Sequence, residues 1–337
     1  MIQDAIAILV ADEELTGEQA REVACEILEG EATPSQIAAF ITALRIRGEG
    51  VEHIRAFAET LREKANRIDP PEGVVLDTCG TGGDAIGTFN FSTAAAIIAA
   101  GAGVTVAKHG NRAVSSACGS ADVLTELGVK VDAPLEVVRR CLHEIGICFL
   151  FAPMCHAAMK HAVVPRREIG IRSIFNMVGP LSNPAGATHQ LLGVYAPELT
   201  ETFAKVLREL GSERALIVHG SDGVDEVTTT SVTQVTELRD GDVDTWTIEP
   251  HDFGLSPVNV EDLVVGSVEE AADQMRKVLS GVKGPCADMA LVNAGAALYV
   301  AGLAGSIPEG YGLAHETVAS GRALEKLEAL IDLSNSQ

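Results

Sequence analysis

Aromatic residues are scarce in this sequence, at 4% of 337 residues with a single tryptophan. Hydrophobic residues still reach 47%, so the core must be built from Ala, Val, Leu and Ile. That composition suits helices packed on a parallel sheet better than a β-sandwich. Long apolar runs are missing too. The longest, Ala94 to Ala107, is interrupted by Gly101 and Gly103, so neither a spanning helix nor a membrane partner is expected. The first residues have no basic start and meet Asp4, Asp12, Glu13 and Glu14, which argues against a signal peptide and for a cytoplasmic protein. The seven cysteines contain no C-x-x-C pair. The even spacing of Cys141, Cys148 and Cys155 is broken by Gly146 and Pro153, so they read as small buried hydrophobes and imply no disulfide framework.

Basic residues are outnumbered by acids, 25 to 47, for a net charge of −22. General nucleic-acid binding wants the opposite sign, and no nucleic-acid partner is expected. The distribution says more than the total. No acid occurs from Ala85 to Ala121, where Lys108 and Arg112 remain. From Ile145 to Pro197 the single acid Glu168 faces Lys160, Arg166, Arg167 and Arg172. An acidic protein that keeps two segments clear of carboxylates is expected to bring an anion to them. Burial alone would remove the acids but would not explain the retained cations.

The first seventy residues read as helices. Thr16 with Gln19 and Thr33 with Gln36 fit capping boxes, Pro34 takes a first-turn position, and Ile37, Phe40, Ile41 and Leu44 repeat at helical spacing. Asp69-Pro70-Pro71 then breaks the pattern. Short apolar strands, Val74–Leu76, Val104–Ala107 and Ala215–Val218, alternate after it with helical segments at 92–100 and 200–210. This is the grammar of an α/β fold with a parallel sheet, whose ligands bind beyond the carboxyl ends of the strands.

The motifs fall at those ends. In Asp77-Thr78-Cys79-Gly80-Thr81-Gly82-Gly83-Asp84, glycines after a strand allow a tight turn that points N–H groups at an anion. Gly80, Gly82 and Ala85 also match the dinucleotide pattern, but the ribose acid about 20 residues on is missing. No Walker sequence is present. A phosphate or pyrophosphate cradle remains, against the alternative of a plain turn. Asn90-Phe91-Ser92-Thr93 starts a helix and reads alone as a cap. Lys108-His109-Gly110-Asn111-Arg112 offers a point charge and amide donors after the next strand. Arg166 suits an organic carboxylate, with a surface pair to Glu168 as the equal alternative. In Val218-His219-Gly220-Ser221-Asp222-Gly223-Val224-Asp225-Glu226, the adjacent acids suit magnesium, which takes one or two carboxylates plus substrate phosphates. The plainer reading there is a polar turn.

Taken in order, D-T-C-G-T-G-G-D, N-F-S-T, K-H-G-N-R-A-V-S-S, R-R-E-I-G-I-R-S-I-F-N-M-V-G-P-L-S-N-P, V-H-G-S-D-G-V-D-E and N-A-G-A-A-L-Y-V-A-G resemble the anthranilate phosphoribosyltransferase family. The resemblance runs from the first helices to about Leu330. It implies a small helical domain over residues 1–70, completed by part of 160–190, and a larger α/β domain over 71–337 of the nucleoside phosphorylase/phosphoribosyltransferase-like class, usually paired as a homodimer. It implies a magnesium-dependent transferase of tryptophan biosynthesis that moves phosphoribosyl from phosphoribosyl pyrophosphate to anthranilate, with two Mg2+ ions per site. By this resemblance Gly80, Thr81, Gly82, Gly83, Asp84, Thr88, Asn90, Ser92, Thr93, Lys108 and Ser120 meet the donor. Gly80, His109, Asn111 and Arg166 meet anthranilate. Ser92, Asp225 and Glu226 meet the metal, and no dedicated general base is assigned.

The sequence departs from the family pattern at Ala85, Ala117-Cys118, Ala157, Thr228–Thr233 and Ala287, none of which carries an assigned role. A pyrimidine nucleoside phosphorylase is disfavoured by Asp225–Glu226 and Lys108-His109-Gly110-Asn111. A nucleic-acid-binding relative is disfavoured by the charge, and an NAD-dependent dehydrogenase by the missing ribose acid.

Overall fold

The computed structural model describes residues 1–82, 87–113 and 118–336. The chain opens with four helices, α1 (Ile2–Val10), α2 (Gly17–Glu29), α3 (Pro34–Arg47) and α4 (Val51–Glu63). Both threonine–glutamine capping boxes form: each threonine hydroxyl accepts the N–H three residues on, and each glutamine carbonyl accepts the N-cap N–H. Pro34 sits in the first turn of α3, where its missing N–H costs no helical bond. Phe40 of α3 and Phe57 of α4 stack at 6.0 Å, and Phe57 meets Phe175 edge-on at 5.6 Å.

After the proline pair the chain alternates β1 (Val75–Gly80), α5 (Phe91–Gly101), β2 (Thr105–Gly110), α6 (Ser120–Glu126), α7 (Leu135–Ile145) and β3 (Ile147–Phe151). It then returns to the helical unit through α8 (Ala152–Cys155), α9 (Lys160–Ile169) and α10 (Ile174–Val178). Helix α9 packs on α2 and α3, and α10 on α3 and α4. Ala162, Ile174, Phe175 and Met177 share the helical core. The sheet resumes with β4 (His189–Gly193), α11 (Leu199–Glu209), β5 (Arg214–Gly220), β6 (Thr233–Arg239) and β7 (Asp242–Ile248). Helices α12 (Val268–Leu279), α13 (Pro285–Val300), α14 (Ile307–Ala319) and α15 (Arg322–Ser334) follow. Cys141, Cys148 and Cys155 lie on α7, β3 and α8 and are buried.

The strand order is β3-β2-β1-β4-β5-β6-β7. The first five strands are parallel, and β6 and β7 add antiparallel through a two-residue turn at Asp240-Gly241. Both turn residues have positive φ, 53° and 86°, which suits a tight hairpin. Alternate side chains serve opposite faces. Leu191, Leu216 and Val218 join the core with α5 and the last four helices, whereas Leu192, Ala215 and Ile217 join the core of the helical unit. The architecture is therefore a small N-terminal helical unit set against a larger α/β unit with a mostly parallel sheet. The order reverses at β1, which has β2 on one side and β4 on the other. In such sheets the crevice beyond the carboxyl ends of the central strands is where ligands bind. No helix among the described residues is long and apolar enough to cross a membrane.

Candidate active site

The site begins where β1 and β2 part. Their ladder runs through Val75–Thr105 and Leu76–Val106, while β1 continues with β4 to Gly80–Gly193 and β2 with β3 to Gly110–Phe151. Polar side chains occupy the opening. Asp77 Oδ1 accepts the His109 backbone N–H at 3.0 Å. The Lys108 ammonium donates to the Thr78 carbonyl at 2.6 Å and to Ser92 Oγ at 3.3 Å. Thr78 Oγ1 in turn donates to the Ser92 carbonyl at 2.8 Å, fixing the first turn of α5 against the strand. Lys108 is 3% exposed and Asp77 is fully buried. Burial pushes the Lys108 ammonium down and the Asp77 carboxyl up, and each charge opposes the other's shift. Glu226 also supports the Lys108 charge. An ammonium this deep costs several kcal/mol unless it is well partnered, so the position is expensive to keep for stability alone.

Asp225 and Glu226, in the loop after β5, face this opening. Asp225 Oδ2 accepts the Gly82 N–H at 2.8 Å, and Glu226 Oε1 accepts the Ser92 N–H at 3.0 Å. The acidic pair is thus pinned to the glycine turn and to the N-terminus of α5, where the helix dipole favours negative charge. Close approach explains two glycines. A Cβ on Gly80 would overlap the Asp225 carboxylate, and one on Gly193 would overlap the Asp225 backbone. Thr81 is locked from both sides: its N–H donates to the Gly193 carbonyl at 2.9 Å, and its hydroxyl accepts the Tyr195 N–H at 3.1 Å. Among the described residues no three His, Cys, Asp or Glu side chains gather into a metal cage. The chain offers two carboxylates and the Ser92 hydroxyl, the hard-oxygen set magnesium accepts when phosphates and water complete its shell.

Gly83 and Asp84 lie outside the described residues, as do Ala85, Ser115, Ser116 and Ala117. Thr88 bridges to Val264 and is half-buried. Thr93 is buried with an unpartnered hydroxyl among the described residues. Asn90 occupies the N-cap of α5, yet the cap reading of its side chain does not hold. Its amide donates to the Cys118 carbonyl at 3.1 Å instead, tying α5 to the segment before α6. Ser120 Oγ donates to the Asn111 carbonyl at 3.3 Å, and Asn111 is exposed. Arg112 pairs with Asp122 at 2.8 Å, just past the acid-free stretch, so it is neutralised locally and Lys108 carries that stretch's charge into the site.

Arg166 stands in the last turn of α9, half-buried, with its guanidinium 5.6 Å from the Phe175 ring centroid. Burial is the sole influence on its charge, and no carboxylate among the described residues, Glu168 included, pairs with it. His109, at the end of β2, lies edge-on to His156 at 5.0 Å. Burial pushes His109 down to about 3 and His156 down to about 4, so both rings are neutral at pH 7. Asp77, Thr78, Gly193 and Tyr195 had no assigned role in the sequence. Asp77 could have been noticed as a carboxylate inside an apolar strand, and Gly193 as a glycine closing one.

Models described as the helical bundle domain and the a/b domain of a glycosyl transferase family match residues 3–65 and 72–324. The chain is 53% identical over 331 residues to the anthranilate phosphoribosyltransferase of Moorella thermoacetica, covering 98% of both chains. To that of Acetivibrio thermocellus it is 49% identical over 336 residues, covering 100% of this chain and 97% of the other. The crystal structure of anthranilate phosphoribosyltransferase from Thermus thermophilus superposes with a TM-score of 0.94 at 42% identity, covering 99% of this chain and 100% of that one. The Saccharomyces cerevisiae enzyme in complex with PRPP and Mg superposes at 0.91 with 30% identity, over 100% of this chain and 98% of that one. Similarity over the whole length in sequence and in fold leaves one assignment: the chain belongs to the anthranilate phosphoribosyltransferase family.

Proposed function

We propose that this chain transfers a 5-phosphoribosyl group from phosphoribosyl pyrophosphate to anthranilate, giving N-(5-phosphoribosyl)anthranilate and pyrophosphate in tryptophan biosynthesis. The observation that carries the reading is the convergence of the Asp225–Glu226 pair and the buried Lys108 on the glycine turn at the sheet's reversal point. A cation, an acidic pair and close-approach backbone are what a metal-bound pyrophosphate requires. The yeast relative was solved with PRPP and Mg, and also with 4-fluoroanthranilate.

In this reading Gly80, Thr81, Gly82, Gly83, Asp84, Thr88, Asn90, Ser92, Thr93, Lys108 and Ser120 receive the donor. Ser92, Asp225 and Glu226 would hold magnesium, as two ions per site. Bound there, magnesium supplies charge neutralisation for the departing pyrophosphate. The chain's own part is positioning and electrostatics. Lys108 spends two of its three N–H groups on Thr78 and Ser92, leaving one for a phosphate oxygen. Arg166 takes the anthranilate carboxylate in a two-pronged contact, with Gly80, His109 and Asn111 beside the ring. The bond from the anomeric carbon to the pyrophosphate oxygen breaks with its electron pair leaving on pyrophosphate, the bond to the amine nitrogen forms, and the nitrogen then loses a proton to water. An aromatic amine is already neutral near pH 7, so no dedicated base is assigned.

We place the helical domain at 1–70 with part of 160–190, the α/β domain at 71–337, and the protein in the cytoplasm. Exposed Val10 on α1, Ile46 on α3, and Val163 and Val164 on α9 support a homodimer through the helical unit. Sedimentation at twice the 35.2 kDa chain mass is expected, and the monomer mass would reject the dimer. The function is tested by anthranilate fluorescence. Loss is expected only with protein, phosphoribosyl pyrophosphate and magnesium together, and no loss from folded protein in the complete mixture would refute the assignment.

A further inference from the structure

Asn293 lies in the middle of α13, a helix buried on every side from Met289 to Val300. It is fully buried, and both polar atoms of its amide are engaged. Asn293 Oδ1 accepts the Val227 N–H at 2.9 Å, and Nδ2 donates to the Val227 carbonyl at 2.8 Å and to the Met289 carbonyl at 2.9 Å. The side chain thus grips both backbone groups of one residue, as a neighbouring β-strand would. That residue directly follows Asp225 and Glu226. The same helix packs along α5, whose Ser92 N–H holds the Glu226 carboxylate. An apolar side chain would satisfy α13 at less cost, since a buried amide must find all its partners. It would leave the Val227 backbone unpaired, and with it the anchor of the acidic pair.

We infer that Asn293 is a positioning residue for the metal-binding carboxylates, holding the backbone behind Asp225 and Glu226 so that both point at the donor's phosphates. It touches neither substrate nor metal. The inference rests on the assignment of Asp225 and Glu226 to magnesium, so the test separates the two. Mn2+ affinity in the presence of pyrophosphate is read from the loss of the free-ion electron paramagnetic resonance signal. The proteins compared are the wild type, Asp225→Asn, Asn293→Leu and the smaller Asn293→Ser, with melting temperature and the anthranilate KM measured alongside.

Asp225→Asn is expected to weaken Mn2+ binding at least tenfold. If it does not, the metal assignment falls and the inference with it. Given that control, a folded Asn293 variant is expected to bind Mn2+ at least fivefold more weakly while its anthranilate KM moves by less than twofold. Unchanged Mn2+ affinity would overturn the inference. So would a parallel decline in metal and anthranilate binding, or the failure of both variants to fold, since either makes Asn293 a support of the core alone.

Discussion

Arg166, proposed for the acceptor carboxylate, is a cation that burial alone perturbs. Its guanidinium is half-buried above Phe175, and burial pulls its pKa down, which marks a cation short of partners. A carboxylate arriving there gains a charge-assisted, two-pronged contact worth about 1.5–3 kcal/mol. Arg166→Ala should therefore raise the anthranilate KM roughly 10- to 100-fold while leaving the donor KM within about threefold, because the residues proposed for the donor sit around β1, β2 and α5. Equal effects on both constants would remove Arg166 from the acceptor side. The sequence alone left Arg166 balanced against an ion pair with Glu168 and the Asp225–Glu226 pair behind a polar turn, so only the ordered resemblance made them and Lys108 legible as candidates. Thr78, Gly193 and Asn293 were not, because their roles come from carbonyls, backbone approach and a neighbouring loop. Asn90 misled for the same reason, since a cap-forming residue at a helix start spent its amide on Cys118 instead.

Elements were legible where the signal is local. Thr16–Gln19, Thr33–Gln36 and the alternating strand–helix pattern rest on neighbours a few residues apart. The Asp240-Gly241 turn is also local, yet β6 and β7 went unread beside it. The return of α9 and α10 to the helical unit depends on packing across the fold, which periodicity does not report. The contact between the end of β2 and the segment after α8 has a consequence for pH. It buries His109 beside His156, with Lys108 adding to the repulsion on His109 and backbone groups of Leu61 and Ser182 opposing part of the shift on His156. In the unfolded chain both rings take up protons below about pH 6.5. In the native protein they do so only near about 3 and about 4. The unfolded state binds more protons throughout that window, so stability present above pH 6.5 is lost as the pH falls. Replacing His156 by Phe, which keeps a ring against His109, should flatten the loss by about 3 kcal/mol at pH 4. Urea unfolding at pH 7 and pH 4 measures it, and an unchanged pH slope would show that His156 does not contribute.

At the scale of the whole molecule, the proposed site requires the helical unit and the glycine turn to hold register, since Arg166 belongs to one and Gly80 and Gly82 to the other. The overall charge of −22 hides this arrangement, and the sequence showed it only as one stretch free of acids and another with the single acid Glu168. The connection runs through Tyr195. Its N–H holds the Thr81 hydroxyl, its ring lies under the Arg172 guanidinium at 4.0 Å, and Arg45 in the last turn of α3 and Glu49 just beyond it face its phenol. Arg45 and Glu49 pair at 3.1 Å, and the Glu49 side chain is 3% exposed. A chain of contacts therefore leads from α3, through Tyr195, to the turn that would receive pyrophosphate, with Arg172 entering it six residues after Arg166. A partly desolvated cation–π pair is worth about 1–2 kcal/mol. Tyr195→Leu loses the ring and should raise the KM for both substrates roughly tenfold. Tyr195→Phe keeps the ring under Arg172 and should stay within about threefold. Steady-state titration of each substrate at saturation of the other separates the cases. If the leucine variant disturbs neither, Tyr195 serves Thr81 through its backbone N–H only. If it disturbs both, the stack carries register between the two halves of the site.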